Sequence, residues 1–328
     1  MRPAMNGGAP RATQRTIGRP ACPGSPQAGV GLPEMLVALG LGLAVTLAAS
    51  AMLLLANRDF VHHAANTRLD DGGRYALELI ARAVRQAAWS DLESGAPPAD
   101  GDAGIGGLDN RTLPRMGAGF GGALAAPDAV RGSDVLAVHF GGLGSGSGDG
   151  SVVDCAGFAV GGGEPGWSIF YVGVADDGET ELRCKYRAQS GNWNADAIVR
   201  GVDSFQVLYG IDTGDPRDGI ADRYLNASAV RALDAGMALE GATPAEQAQD
   251  LRRKTHWKRV ATVRVALLLH GEARSRAGAP PVRYQLFGTP AEAGDPGTVV
   301  DEATLPVALR LRARRLFEQS VQLRNQDG

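Results

Sequence analysis

Residues 29–58 read GVGLPEMLVALGLGLAVTLAASAMLLLANR. One carboxylate, Glu34, sits near the start of this run, and no further charge follows until Arg58. As a helix, Met35–Ala56 is long enough to cross a bilayer, since about 1.5 Å per residue gives roughly 33 Å. Pro33 falls in the first turn, where its missing N–H and fixed φ do no harm. A carboxylate at the edge of such a helix costs free energy and marks a functional position. Ahead of the helix stand Arg2, Arg11, Arg15 and Arg19 and no acid. The positive-inside rule therefore leaves this end in the cytoplasm and sends the C-terminal bulk outward. A secretory signal peptide fits poorly, because its apolar region is shorter and ends in a small-residue cleavage site. A lipoprotein reading through Cys22 fails, because no hydrophobic run precedes that cysteine.

Helical character continues beyond the apolar run. Ala76, Leu79, Ile80, Ala83, Val84 and Ala87 recur at spacings of three and four, while Arg74, Glu78, Arg82 and Arg85 occupy the other side. This stripe predicts an amphipathic helix over 57–92, lying against a sheet. Gly72-Gly73 interrupts it and is a place for a bend or local loosening. Residues 93–131, rich in Gly, Pro, Ala and Asp, read as a long loop. Strand signals follow at 134–140, 152–160, 167–175, 181–187, 198–211, 259–271, 282–287 and 308–323. In the last of these Leu309 and Leu311 alternate with Arg310, Arg312 and Arg314. Residues 227–257 carry helix-like runs and read as an insertion. The expected organisation is thus a leader at 1–29, a membrane helix at 30–56, an amphipathic helix at 57–92, and a loop-rich antiparallel β domain at 93–328.

The composition argues against several chemistries. A formal net charge of −3 over 328 residues gives no bulk attraction to nucleic acid. An exposed strand face accounts for Arg310, Arg312, Arg314 and Arg315 more simply than a nucleic-acid partner does. The Gly-rich loops lack the Gly-Lys-Ser/Thr ending of a phosphate cradle. His62 and His63 adjoin on a helix and point in different directions, so they do not form an i, i+4 ligand pair. Asp212, Asp215, Asp218 and Asp222 offer hard oxygens suited to Ca²⁺. Their spacing departs from an EF-hand-like loop, however, with Gly214 and Pro216 at intervening positions. Asp-Gly and Asp-Pro pairs equally mark turns, and a turn is the simpler reading. No catalytic constellation has persuasive spacing, so the reading is of a non-enzyme without a cofactor. Of the three cysteines, Cys155 and Cys184 lie in distal strand-like segments. Outside the cytoplasm they would pair as a disulfide; the alternative is two buried free thiols.

The polar leader, Gly29, Glu34 and the apolar helix together resemble the processing site of type IV pilins and pseudopilins. The distal sequence narrows this. GGRYALELIARAVRQAAW at 72–89, GVDSFQVLYGIDTGDPRDGIADRYLNA at 201–227, RVATVRVALLLHGEA at 259–273 and RRLFEQSVQLRNQ at 314–326 resemble PilW-type minor pilins in the same order. The resemblance implies an α+β, type IV pilin-like fold, with a long N-terminal helix whose second half packs on an antiparallel sheet. It also implies cleavage after Gly29 by prepilin peptidase, N-methylation of Val30, and a role in initiating pilus assembly. The new amine of Val30 and the Glu34 carboxylate would attract by about 4 kcal/mol at ~4 Å and an effective dielectric near 20. Such a pair between neighbouring subunits would set their axial register. The implied partners are prepilin peptidase, other minor and major pilins and the inner-membrane assembly platform. The implied location is the inner membrane, with the C-terminal domain periplasmic, and then the cell-surface pilus. Two other readings stay open: a J-type minor pseudopilin of type II secretion, and an uncleaved, anchored periplasmic binding or sensor domain.

Overall fold

A computed structural model describes residue 29 and residues 31–90, 101–122, 129–273, 275, 280–288 and 297–325. The chain divides into two compact units, 1–58 and 59–328. Helix α1 (Leu32–Gln86) contributes to both. Its first part is rich in Leu and Ala, strong helix formers, and holds no interior proline. It ends at Gln86, where Ala88 takes φ 56° and donates its N–H to His139 O at 3.0 Å.

The second unit is built on antiparallel sheets. The first sheet is a five-stranded meander of β1 (Ile105–Leu108), β2 (Val135–Gly141), β3 (Pro165–Val174), β4 (Thr180–Arg187) and β5 (Trp193–Arg200), in that spatial order. The second contains β6 (Val202–Ile211), β7 (Arg223–Leu225), β8 (Val260–His270) and β11 (Arg314–Gln322), in the order β11-β8-β6-β7. A small ribbon pairs β9 (Arg283–Gln285) with β10 (Val299–Asp301). Helices α2 (Ala227–Ala235) and α3 (Pro244–Lys254) lie between β7 and β8, and the short α4 (Val307–Arg310) precedes β11. A long N-terminal helix with antiparallel sheets is the α+β class the sequence implies.

The core follows from two periodicities. From α1, Leu69, Ala76, Ile80, Ala81, Val84 and Ala87 are buried. They share one cluster with alternate residues of both sheets: Leu136 and Val138, Phe170 and Val172, Phe205 and Val207, Val265 and Leu267. The outer faces are also covered. Val135, Ile169 and Tyr171 form a second cluster, and Leu208 and Ala266 pack on Leu286 and Phe287. Every residue of β6 is consequently buried. Asp134 ties the two sheets together, accepting the N–H of Val207 at 2.9 Å on one oxygen and of Asn110 at 3.0 Å on the other. Asp109 accepts the N–H groups of Ala227 (2.8 Å) and Ser228 (2.6 Å), holding the start of α2 against the end of β1.

Several sequence expectations are corrected. The apolar run 198–211 is two strands, because Gly201 turns the chain from one sheet into the other at φ +80°. The segment 152–160 holds only the isolated bridge Val153↔Ala159, because the Asp154 side chain and Gly157, at φ +89°, curl it into a turn. The region 93–131 contains β1, whose Gly106-Gly107 conceals its strand character; a Cβ at Gly107 would lie 1.9 Å from the Tyr209 hydroxyl. Gly72-Gly73 does not interrupt α1. It lets the helix approach Val199 and the Phe317 ring, the latter 2.4 Å from where a Gly73 Cβ would sit. The final segment is α4 and then β11 rather than one strand, with Leu309 packed near Leu268, Val300 and Leu305.

A Cβ at Gly201 would lie 2.4 Å from the backbone oxygen of His270. Gly201→Ala is expected to lower unfolding free energy by at least about 2 kcal/mol, combining left-handed backbone strain with that clash. Urea denaturation of the two proteins measures it; equal midpoints and slopes would show that the sheet crossing tolerates a side chain.

Candidate functional site

At the head of α1, Glu34 lies in the first turn. Its Oε2 accepts the Gly31 N–H at 3.3 Å, and the Met35 N–H donates to Gly31 O at 3.2 Å. The carboxylate thus sits beside the free N–H groups of a helix start, where negative charge is favoured. Gly29 is described; Val30, the expected new N-terminus, lies outside the described residues. Leu32–Asn57 has a mean hydropathy of 2.2 over its most apolar window, none of which is buried within the chain. The two hydroxyls in this stretch are satisfied internally, with Thr46 donating to Leu43 O (2.9 Å) and Ser50 to Thr46 O (2.7 Å). By length and composition this helix suits a membrane, and its polar groups other than Glu34 ask nothing of the lipid.

The acidic turn after β6 is organised by its own backbone. Asp212 accepts the N–H groups of Gly214 (2.9 Å), Asp218 (3.0 Å) and Gly219 (2.8 Å). Those amides, Gly219 foremost, hold its carboxyl below the usual range. Asp222 accepts from both the N–H and the hydroxyl of Thr213 at 2.7 Å, and Asp218 accepts from Ile220 N–H at 2.9 Å. Asp215 makes no side-chain hydrogen bond among the described residues. The structure therefore turns three of these carboxylates onto loop amides. Among the described residues, no group of three or more His, Cys, Asp or Glu side chains is placed to hold a metal ion.

Residues 169–325, from β3 through the end of β11, match the family model of the type IV pilus-assembly protein W. The distal half of the chain is PilW-like. The matched region holds the turn at 212–222, all of β8 and β11, and Cys184; the helical stretch 72–89 lies outside it. A type IV-like pilin from Thermus thermophilus is a structural match at TM-score 0.39 and 13% identity, over 78% of this chain and 95% of that one. No curated protein sequence matches the chain.

Cys155, ahead of the matched region, and Cys184, within it, are joined as a disulfide. The bond fastens the curled loop after β2 to the middle of β4. Its neighbour Asp154 is buried, with Oδ1 accepting the N–H groups of Ala156 (2.9 Å) and Phe158 (3.0 Å). Burial pushes the Asp154 carboxyl up to about 6, against the downward pull of the Phe158, Ala156 and Gly157 amides and the charge of Arg82. Lys185, next to the disulfide, is also fully buried. Its ammonium donates to Pro114 O (2.7 Å) and Arg115 O (3.3 Å), and burial lowers it to about 8.

Arg312 and Arg314 overturn the expectation of an exposed basic face, whereas Arg310 and Arg315 are exposed. The Arg314 side chain is fully buried. It donates to Asp203 Oδ2 (2.6 Å), Glu302 Oε1 (3.0 Å), Arg312 O (3.1 Å) and Leu309 O (2.7 Å). Asp203 Oδ1 faces Arg131 at 2.8 Å and His270 Nδ1 at 3.1 Å. His270 Nε2 in turn meets Glu179 at 2.7 Å, and Arg312 grips the same carboxylate at 2.9 and 3.2 Å. Burial alone would raise Asp203; the His270 ring and the Arg131 and Arg314 guanidiniums hold it below its usual range. Arg315 pairs with Asp70 on α1. This network escaped the sequence reading because its members are far apart in the chain, and a run of alternating arginines looks like a solvated face. A buried Arg314 surrounded by fixed acceptors is structural chemistry, while the outer members of the network, Glu179, His270 and Arg312, line a cleft of about 590 Å³.

Arg314→Leu is expected to cost about 3–5 kcal/mol, since it removes the cation that the buried Asp203 and Glu302 share. Arg314→Lys should recover only part of this, because an ammonium cannot span the same acceptors. Thermal unfolding of both variants checks the order. Asp154 has the opposite pH signature from a salt-bridged acid. The folded chain holds that proton more tightly than the unfolded one, so its contribution to stability falls as pH rises from about 4 to about 6. The full span is up to about 3 kcal/mol. Asp154→Asn should remove that slope, seen as the difference between the two proteins' unfolding free energies across this range; parallel profiles would refute it.

Proposed function

We propose that this chain is a minor pilin of a type IV pilus, anchored by α1 in the inner membrane and contributing to the start of filament assembly. The observation that carries the reading is the combination of a PilW-like distal half with Gly29, Glu34 and an unburied apolar helix at the other end. Its role is structural: it supplies a helix to a bundle and carries a globular unit. Prepilin peptidase cuts after Gly29 and Val30 is methylated. With four arginines on the leader side, the globular unit faces the periplasm. The Cys155–Cys184 bond supports that placement, because disulfides persist in oxidising compartments.

The assembly step is then an exchange of one apolar surrounding for another. Lipid tails are as apolar as leucine side chains, so hydrophobic burial gives little net drive to leave the bilayer. Packing and charge must select the register. The Val30 amine of one subunit and Glu34 of a neighbour supply that selection, and in a low-dielectric bundle the pair outweighs its value in water. The other pilins and the inner-membrane assembly platform are the partners this role requires. A pseudopilin of type II secretion would use the same helix chemistry, and the PilW-like region favours the pilus.

Mass analysis of the N-terminus of protein recovered from its native envelope is expected to find methylated Val30. An intact leader would overturn processing and favour an uncleaved anchored domain. In the same host, Glu34→Ala should insert normally yet lower piliation several-fold. Normal piliation would remove the charge pair from the account.

A further inference from the structure

The loop between β2 and β3 and the turn between β4 and β5 enclose a cleft of about 430 Å³. That lies within the ~300–1,000 Å³ range of small-molecule sites. Asp154, Glu164, Trp167, Arg187, Gln189 and Ser190 line it. No step of pilin assembly described above uses any of these residues.

Asp154 is the unusual member. It is 3% exposed, yet only one of its oxygens is occupied. Oδ1 takes two backbone amides, while Oδ2 has no hydrogen-bond partner among the described residues. Oδ2 does not belong to the fully enclosed atoms without a partner, so it keeps solvent access on a residue that lines the cleft. Burial pushes this carboxyl up to about 6. Arg82 donates to the backbone oxygen of Asp154, at 3.4 Å.

The position is also held rigidly. Cys155 is bonded to Cys184 on β4, and its N–H donates to Ser168 Oγ on β3 at 2.9 Å. Residue 154 is therefore fixed to two strands through its immediate neighbour. Across the cleft, half-buried Trp167 is braced by His139, with ring centroids 4.5 Å apart, and by an edge-on contact with Trp193 at 6.0 Å. The exposed Glu164, Arg187, Gln189 and Ser190 make no side-chain hydrogen bond among the described residues. The site thus combines one preset acceptor, a fixed indole and a ring of uncommitted polar groups. Preorganisation of this kind lowers the entropy cost of binding.

We infer that this cleft binds a neutral sugar ring, as a unit of a glycan, with Asp154 Oδ2 accepting from a ring hydroxyl and Trp167 against an apolar face of the sugar. Charge selects this class over others. An anion meets Asp154 and Glu164; a cation meets Arg187. A sugar hydroxyl both donates and accepts, so it finds a complement in the carboxylates, the guanidinium, the Gln189 amide and the Ser190 hydroxyl alike. The C–H face of a pyranose is apolar and matches the indole.

The test uses the full chain in lipid nanodiscs, since detergents with sugar head groups would compete. Saturation-transfer NMR is recorded with methyl α-D-glucopyranoside, methyl β-D-galactopyranoside and N-acetyl-D-glucosamine, and with ethylammonium as a cationic probe. At least one sugar is expected to bind with a Kd of about 1 mM or tighter. Asp154→Asn, which keeps the Oδ1 acceptor, and Gln189→Ala, on an exposed turn where folding is not at stake, should each weaken it about tenfold. Transfer to none of the sugars, sugar binding untouched by both variants, or binding of ethylammonium in preference to them would each overturn the assignment.

Discussion

The second half of α1 meets the sheets through small side chains, and the distance this sets governs the rest of the globular unit. Ala76, Ala81, Ala83 and Ala87 are buried, and Gly73 is flush against Phe317. Small residues at these positions let the helix lie close to the strands, so Leu136, Phe170, Phe205 and Leu267 fill the space beneath it together with Ile80 and Val84 from the helix. The same helix carries a wholly apolar, unburied stretch earlier in the chain. One continuous element therefore obeys two rules. Its first part is hydrophobic all round; its second is hydrophobic along one stripe only.

Two sheets share that helix, and polar chemistry joins them. Gly201 carries the backbone across, Asp134 accepts an amide from each side, and Arg314 gathers Asp203 and Glu302 in the interior. Buried ion pairs are a weak source of net stability, because desolvation offsets much of their attraction. Their contribution here is one of placement. An arginine with four fixed acceptors has one location that satisfies it, and a shifted β11 register would take it from both Asp203 and Glu302.

The amphipathic stripe of α1, the positions of β2, β3, β4 and β8, and the pairing partners among the cysteines were legible because each rests on local periodicity or on a short list of candidates. What stayed hidden depends on contacts distant in sequence. β1 is written with two glycines, and only the approach of Tyr209 explains one of them. Arg314 reads as surface until Asp203, more than a hundred residues earlier, is placed beside it. Asp154 gives no signal at all, since its burial follows from a loop curled by its own side chain and by Gly157. The acidic turn was half legible: its residues mark a turn, but nothing in their spacing says that Asp212 would be consumed by three amides. The start of the chain is the converse case. Glu34 stands out in the sequence, yet its intramolecular geometry shows little more than a helix-end contact, because its proposed partner belongs to another molecule.

The closure of α1 by β11 has a consequence for biosynthesis. Phe317 fills the gap over Gly73, Arg315 reaches Asp70, and Asn325 donates to Ala87 O at 3.2 Å. The helix leaves the ribosome before every other described element, and the strand that seals it leaves after all of them. For the whole interval of translation an apolar ridge stands uncovered, with the loop-closure entropy of some 240 intervening residues still unmet. Nascent chains of this design are exposed to sticking and mispairing until that strand arrives.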